Sequence, residues 1–476
     1  MVISNTVQKL SLYLHQFGAL FTKAIFGLAI FSFYLQAQTA LPELPTAPID
    51  TVVKHILDTT GVPSASVAIV RNGQIAFIEA YGKARLSPPM DAKPQMQYSV
   101  GSISKQFTAA AILLLAEEGK LTLNDPVSKF LPDLMRAKEI TIRMLLSHTS
   151  GYQDYWPEDY VMTSMLQPTT VEHILDGWAR KPLDFDPGTK WQYSNTNYVI
   201  AGRIAEIAGG KPLLDQLEER IFKPLGIKDI YNTDASRLPP TDPAGYYRHA
   251  LGPLRPAPKE GAGWMFAAGE LAMSARDLAL WNISMMDRSL MRPQSYEEMW
   301  KDVKLKNGKD TGYGLGVSVG TKNGHKFIAH SGEVSGFVAM NTVYPDDKAA
   351  ITVLTNQDAS PAAGAIATEL GPTIIGRTKA EEKALSIFTG LQNGKLDRSQ
   401  LTEFCNAYFT AEAIEDFSSS LKGLGTPLSF QQQSEEQRGG MTFRAFRAEF
   451  PDRHLGITAY EMPDGKLEQF LVIPGR

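Results

Sequence analysis

Cysteine is almost missing from this chain. Cys405 is the only one in 476 residues, so no internal disulfide can form and no cysteine near the start is available for a lipid anchor. It sits in an apolar, helix-like stretch and reads as a small buried hydrophobe rather than a nucleophile. Excess basic charge is missing too. A formal charge of −4 with 43% hydrophobic residues leaves no field to hold phosphates, which excludes nucleic acid as a partner and fits a soluble globular enzyme. Several catalytic signatures are also absent. Without H-E-x-x-H there is no helix to hold zinc. No G-x-G-x-x-G occurs, and Gly209-Gly210-Lys211 runs into Pro212 where a phosphate loop needs a hydroxyl. What remains calls for neither metal nor cofactor.

Acidic residues are absent from the first 42 positions, which carry Lys9 and Lys23 and the twelve-residue apolar run 24–35 before Gln36-Ala37-Gln38. That is the pattern of a secretory signal, with cleavage expected after Ala37 and an exported, periplasmic or extracellular product. The run is shorter than the roughly 20 residues a spanning helix needs, although residues 10–35 are apolar apart from a few breaks and leave an N-terminal anchor as the alternative.

What the chain does contain is Ser102-Ile103-Ser104-Lys105, opening an apolar run over residues 106–115 that stops at Gly119. The run predicts a buried helix with a glycine end. Residues three apart on a helix share a face, so the amine of Lys105 can take the proton of the Ser102 hydroxyl as it attacks a carbonyl. Ser102 would lie at the first turn, where free N–H groups favour developing negative charge. A second copy, Ser419-Ser420-Leu421-Lys422, lies in a polar stretch with no apolar helix after it and reads as a solvated turn.

Tyr193-Ser194-Asn195 is the only Y-x-N in the chain, follows the turn Asp186-Pro187-Gly188 and precedes an apolar run beginning near Tyr198. Tyr193, with a lowered pKa, would shuttle protons, and the Asn195 amide would hold a substrate carbonyl; a buried structural tyrosine is the other reading. A third element, His330-Ser331-Gly332, ends the segment 326–329 and is followed by a strand-like run over residues 337–344, as in a hairpin. Gly332 would let substrate backbone approach, and the Glu333 N–H would donate to the oxyanion together with that of Ser102. His454-Leu455-Gly456 repeats its outer letters, and the lysine forms Lys306-Asn307-Gly308 and Lys322-Asn323-Gly324 contain the Asn-Gly hairpin signal and read as turns.

With these three elements in this order, the chain resembles the serine β-lactamase and penicillin-binding-protein superfamily, in its class C β-lactamase-like or S12 peptidase branch. The resemblance covers residues 49–376 and includes Gly61-Val62-Pro63, the phrase from Leu145 to Gly151, and Ala267-Ala268-Gly269. It implies an α+β fold, an antiparallel sheet flanked by helices plus an all-helical portion, with the site between them. Ser102 would be acylated, Lys105 and Tyr193 would transfer protons, and Asn195 would position substrate. His330 would stand where the lactamases carry lysine. A histidine of ordinary pKa, about 6.5, is only partly charged at neutral pH. The resemblance therefore implies cleavage of an amide or ester of a small peptide, cell-wall fragment or similar molecule ahead of β-lactam hydrolysis, with a non-catalytic penicillin-recognising receptor as the rival from another class. His148 reads as a structural loop histidine.

A chain of this length exceeds a single core, so two domains are expected. After the signal at 1–37, a hydrolase domain would run over 38–376, a charged linker over 377–383, and a small α+β domain, helices then strands, over 384–476.

Overall fold

The computed structural model describes Leu44 and residues 46–450 and 452–475; the expected signal segment lies outside the described residues. The first described helix, α1 (Thr46–Thr60), buries Ile49, Val53, Ile56 and Leu57, a spacing that puts all four on one face. It leads into a seven-stranded antiparallel sheet made of β1 (Ser64–Arg71), β2 (Gln74–Leu86), β3 (Pro89–Asp91), β4 (Ser318–Lys322), β5 (His325–Val334), β6 (Phe337–Tyr344) and β7 (Ala349–Thr355). The spatial order is β3-β2-β1-β7-β6-β5-β4. The chain thus lays two hairpin-like edges at either side and closes the middle by pairing β1 with β7, Val67 opposite Val353.

Every residue of β7 and all but the last of β1 is buried, because helices cover both faces. On one face α2 (Ser104–Glu117), α3 (Asn195–Gly209) and α4 (Ala275–Asp287) join the main core, and Asn282 of α4 hydrogen-bonds Asn341 of β6 at 2.8 Å. The other face carries α5 (Ala362–Ile374), whose Gly371 lies against the Tyr344 hydroxyl. Asn341 and Tyr344 are three apart on one strand, which is how they reach opposite faces.

The expected central helix is present as α2. Nearly all of its positions are buried, as its apolar run requires, and Gly119 follows at φ +73°. Phe107 stacks on Trp281 of α4 at 4.8 Å, while the Trp281 indole N–H donates to the Gln106 side chain at 2.7 Å. These contacts fix the helix that carries Lys105.

Residues beyond α5 form α6 (Lys379–Gln392), α7 (Glu403–Tyr408), α8 (Ala411–Leu421) and a four-stranded antiparallel meander, β8 (Ser429–Arg438), β9 (Met441–Glu449), β10 (His454–Glu461) and β11 (Leu467–Pro474). Their core is separate, built on Phe388, Phe430, Phe446, Ile457 and Phe470. Residues 377–383, read from sequence as a linker, are mostly the first turns of α6. Thr378 caps that helix, and the Glu381 carboxylate returns to the Thr378 N–H, so the charges that suggested a linker are helix-start signals. Ser419, in the second S-x-x-K, sits near the end of α8 with its hydroxyl on the Asp416 carbonyl at 3.1 Å; it is part of a helix, not a turn. Cys405 on α7 is buried, and burial pushes its thiol up to about 11, away from the reactive thiolate. His454, Lys322-Asn323-Gly324 and Lys306-Asn307-Gly308 fall in β10, in the β4–β5 turn and in another turn.

Candidate active site

Ser102 lies in a short 3₁₀ turn, Gly101–Ile103, immediately before α2. This turn lies directly against β5. A Cβ on Gly332 would stand 1.9 Å from the Val100 carbonyl oxygen and 3.1 Å from the Ser102 nitrogen, and one on Gly101, at φ +52°, would stand 2.8 Å from the Glu333 nitrogen. Both positions therefore require glycine. Gly332 was expected to admit substrate backbone, but in the structure it admits the protein's own, and so brings the Ser102 and Glu333 backbones together.

Lys105 Nζ lies 2.9 Å from Ser102 Oγ, 2.8 Å from Asn195 Oδ1 and 2.8 Å from the Ala268 carbonyl oxygen. Its burial is complete, and burial pulls its pKa down to about 7 against the opposing pull of the Asp154 carboxylate. At neutral pH a large share of Lys105 is therefore uncharged. Asn195 Oδ1 and Ala268 O can only accept, so a neutral amine gives its two N–H bonds to them and turns its lone pair to the Ser102 hydroxyl. That is the arrangement a general base needs.

The Tyr193 hydroxyl donates to Ser102 Oγ at 2.7 Å. Burial raises the phenol well above its usual range, which overturns the expected lowered pKa. Tyr193 therefore keeps its proton at neutral pH. Behind it, buried His148 stacks on the Tyr193 ring at 4.4 Å and accepts the Ser194 N–H through Nδ1 at 3.2 Å. Burial, helped by the charge of Lys105, holds His148 well below the usual imidazole range, so it serves as a neutral support.

Asn195 opens α3, and its side chain is already engaged. Besides accepting from Lys105, it donates through Nδ2 to Asp154 Oδ2 at 3.3 Å, while its backbone N–H donates to Asp154 Oδ1 at 2.9 Å. It lines the cleft, but its amide oxygen holds Lys105 rather than standing free for substrate. Asp154 was not singled out from the sequence: it lies 41 residues before Asn195 with no local pattern around it. Ala268 had a signal, the Ala267-Ala268-Gly269 phrase, but no role.

His330 on β5 is buried. Its Nε2 pairs with the Tyr313 hydroxyl at 2.8 Å and its Nδ1 with the Ser331 carbonyl. Burial and the nearby Lys105 push it down to about 4, so it is neutral at physiological pH and not the partly charged carboxylate anchor its ordinary pKa implied. Ser331 is exposed in the cleft. The Glu333 side chain accepts the Ala359 N–H at 2.6 Å.

These groups meet in a cleft of about 530 Å³ that includes Ser102, Tyr193, Asn195, His330 and Ser331. Among the described residues lining it are Asp154, Glu158, Asp159, Glu333 and Asp358, and no lysine or arginine. Burial lifts Asp154 and Glu333, and raises Asp358 to about 6.

Residues 49–371 match the family described as beta-lactamase, over more than half the chain. The chain belongs to the beta-lactamase family. It is similar to Protein flp of Staphylococcus aureus (strain NCTC 8325 / PS 47), 28% identical over 318 residues, which is 65% of this chain and 62% of the length of that protein. Among solved structures it is similar to a D-stereospecific amidohydrolase from Streptomyces sp., 26% identical with a TM-score of 0.59 over 68% of this chain and 97% of that one. An octameric penicillin-binding protein homologue from Pyrococcus abyssi shares the fold over 91% of this chain and 99% of its own, at 20% identity and a TM-score of 0.59. The expected superfamily and the α+β fold with an antiparallel, helix-flanked sheet are both borne out.

Proposed function

We propose that the protein is an exported serine hydrolase that cleaves an amide or ester bond of a small peptide-like substrate through an acyl-enzyme on Ser102. One observation carries this reading: a buried lysine, drawn down to about 7, hydrogen-bonded to the hydroxyl it would deprotonate. In the acylation step Lys105 takes the Ser102 proton as Oγ attacks the carbonyl carbon. Backbone N–H groups at Ser102 and Glu333 would stabilise the oxyanion, and the proton taken from Ser102 would pass from Lys105 through Tyr193 to the departing amine or alkoxide, so that both groups end as they began. Water then releases the acid and restores the hydroxyl. Export rests on the acid-free, apolar N-terminal segment.

The charge of the cleft selects among substrates. A cleft lined by five acidic residues, with no lysine or arginine among its described lining residues, favours a neutral or amine-bearing substrate over the carboxylate-bearing ring of a β-lactam. Similarity to a D-stereospecific amidohydrolase supports amides of D-amino acids as the first class to try. A panel of D-amino-acid amides, D-alanyl peptides, short acyl esters and a chromogenic cephalosporin tests the reading. Turnover of the amides or esters well above that of the cephalosporin, abolished by Ser102→Ala, is expected. Preferred turnover of the cephalosporin would make the protein a β-lactamase, and a stable adduct with no turnover on any member would make it a receptor.

A further inference from the structure

Beside the cleft lies a second cavity of about 430 Å³, and Met265, Val334 and Ser335 line both. Its charge has the opposite sign. Arg85, Arg237 and Lys259 line it against one carboxylate, Glu260. Among the described residues, none of these three cations has a carboxylate within ion-pairing distance. Arg85 uses Nε and Nη2 on the carbonyls of Asp242 and Pro239, at 2.9 and 3.2 Å, and leaves Nη1 over. Lys259, partly buried, donates only to the Glu260 carbonyl, at 3.3 Å.

The acids that could neutralise them are turned elsewhere. Glu260 Oε1 accepts the Ser335 N–H at 3.0 Å, and Asp234 Oδ1 accepts the N–H groups of Gly263 and Met265, both at 2.9 Å. Burial, with Arg237 nearby, lowers the Lys259 pKa despite the pull of Glu260 and Asp234. A cation left in that state gains most from an anion brought from outside. At the junction of the two cavities, the buried hydroxyl oxygen of Ser335 has no hydrogen-bond partner among the described residues. Its O–H is left free to donate to a group entering from either cavity.

We propose that this cavity is an anion subsite in which Lys259, Arg237 and Arg85, with the Ser335 hydroxyl, receive a carboxylate carried by the substrate. The proposal rests on the hydrolase reading and extends it: the substrate is dipolar, its uncharged or amine-bearing part in the acidic cleft at Ser102 and its carboxylate beyond Ser335. This replaces the carboxylate anchor that neutral His330 does not provide.

The test compares a D-alanyl dipeptide with its C-terminal amide on the full chain. The ratio of kcat/KM for acid over amide should be about 10 in wild type, the size of one charge-assisted hydrogen bond. It should fall several-fold in Lys259→Met and in the exposed Arg237→Gln, and invert in Lys259→Glu. Because both compounds are read on one preparation, partial loss of folding cancels. Calorimetric titration of the Ser102→Ala protein with the same pair reads the cavity without turnover. Selective binding of the acid there, with no turnover in wild type, would sink the hydrolase reading and keep the subsite. Equal binding of acid and amide, no binding of either, or a ratio unmoved by the Lys259 substitutions would overturn the subsite.

Discussion

Lys105 and Asn195 are joined by a 2.8 Å hydrogen bond from amine to amide oxygen, and the amide is held in that orientation by Asp154. The proposed base is therefore aimed by a residue on α3 rather than by its own helix. Asn195→Ala should free the Lys105 amine to rotate and slow acylation, and Lys105→Ala should slow it by about 10²–10⁴-fold, the usual worth of a positioned general base. Stopped-flow acylation with a chromogenic ester measures both. The double variant should lose little more than Lys105→Ala alone, since both changes disable the same proton transfer.

The pH dependence follows from the charge state. Only the neutral amine can accept the Ser102 proton, so kcat/KM should rise with pH through about 7, the value to which burial brings Lys105. Asp154 favours the ammonium form, and removing its charge favours the amine. In Asp154→Asn the acidic limb of the profile should accordingly move to lower pH. A slower enzyme with an unmoved limb would reduce Asp154 to a purely positioning role.

His330 yields a prediction about specificity. With a pKa of about 4 it does not change charge in the neutral range, so it contributes no pH step to the preference for carboxylate-bearing over neutral substrates between about pH 5 and pH 8. His330→Asn should leave that part of the profile as in wild type, whereas His330→Lys, placing a cation there, should raise the preference for carboxylates. A step near pH 6 that disappears in His330→Asn would show that the imidazole titrates in the cleft.

A buried ionic cluster joins the catalytic sheet to α6. His325 at the start of β5 pairs with Asp347 at 2.9 Å and with Glu381 at 3.6 Å, and Glu381 also accepts the Gln432 N–H at 2.7 Å. Burial alone would lower His325, but the hydrogen bonds and charges of the two carboxylates outweigh it and raise the pKa to about 9. A group whose folded pKa exceeds its unfolded value, about 6.5, stabilises fully below 6.5 and loses that contribution as pH rises through 9. The Tm gap between wild type and His325→Gln should be several degrees at about pH 6 and close by about pH 10. An equal gap at both would mean that His325 supports the fold by packing alone.

Ser102 and Lys105 were legible because they lie three residues apart at the start of one helix, and Tyr193 because the single Y-x-N stands two residues before α3; folding, not spacing, then brings Tyr193 to Ser102, 91 residues away in sequence. Protonation was not legible. Tyr193 and His330 take their charge state from desolvation by segments remote in sequence, and no motif records how deep a side chain will lie. Asp154 was missed for a similar reason, since only folding brings it to Asn195. Residues 377–383 were misread because charge was taken as solvation, whereas Glu381 caps a helix and pairs with His325. Gly332 was read as room for substrate, but its neighbour is the Val100 carbonyl.

The most direct test of the central claim is peptide mapping by mass spectrometry after a timed exposure to a fluorophosphonate, across wild type, Lys105→Ala, Tyr193→Phe and Ser102→Ala. A single adduct on Ser102 in wild type is expected, formed about 10²–10⁴-fold more slowly without Lys105 and absent in Ser102→Ala. Labelling at Ser419, or labelling of Ser102 at the same rate with and without Lys105, would contradict the account.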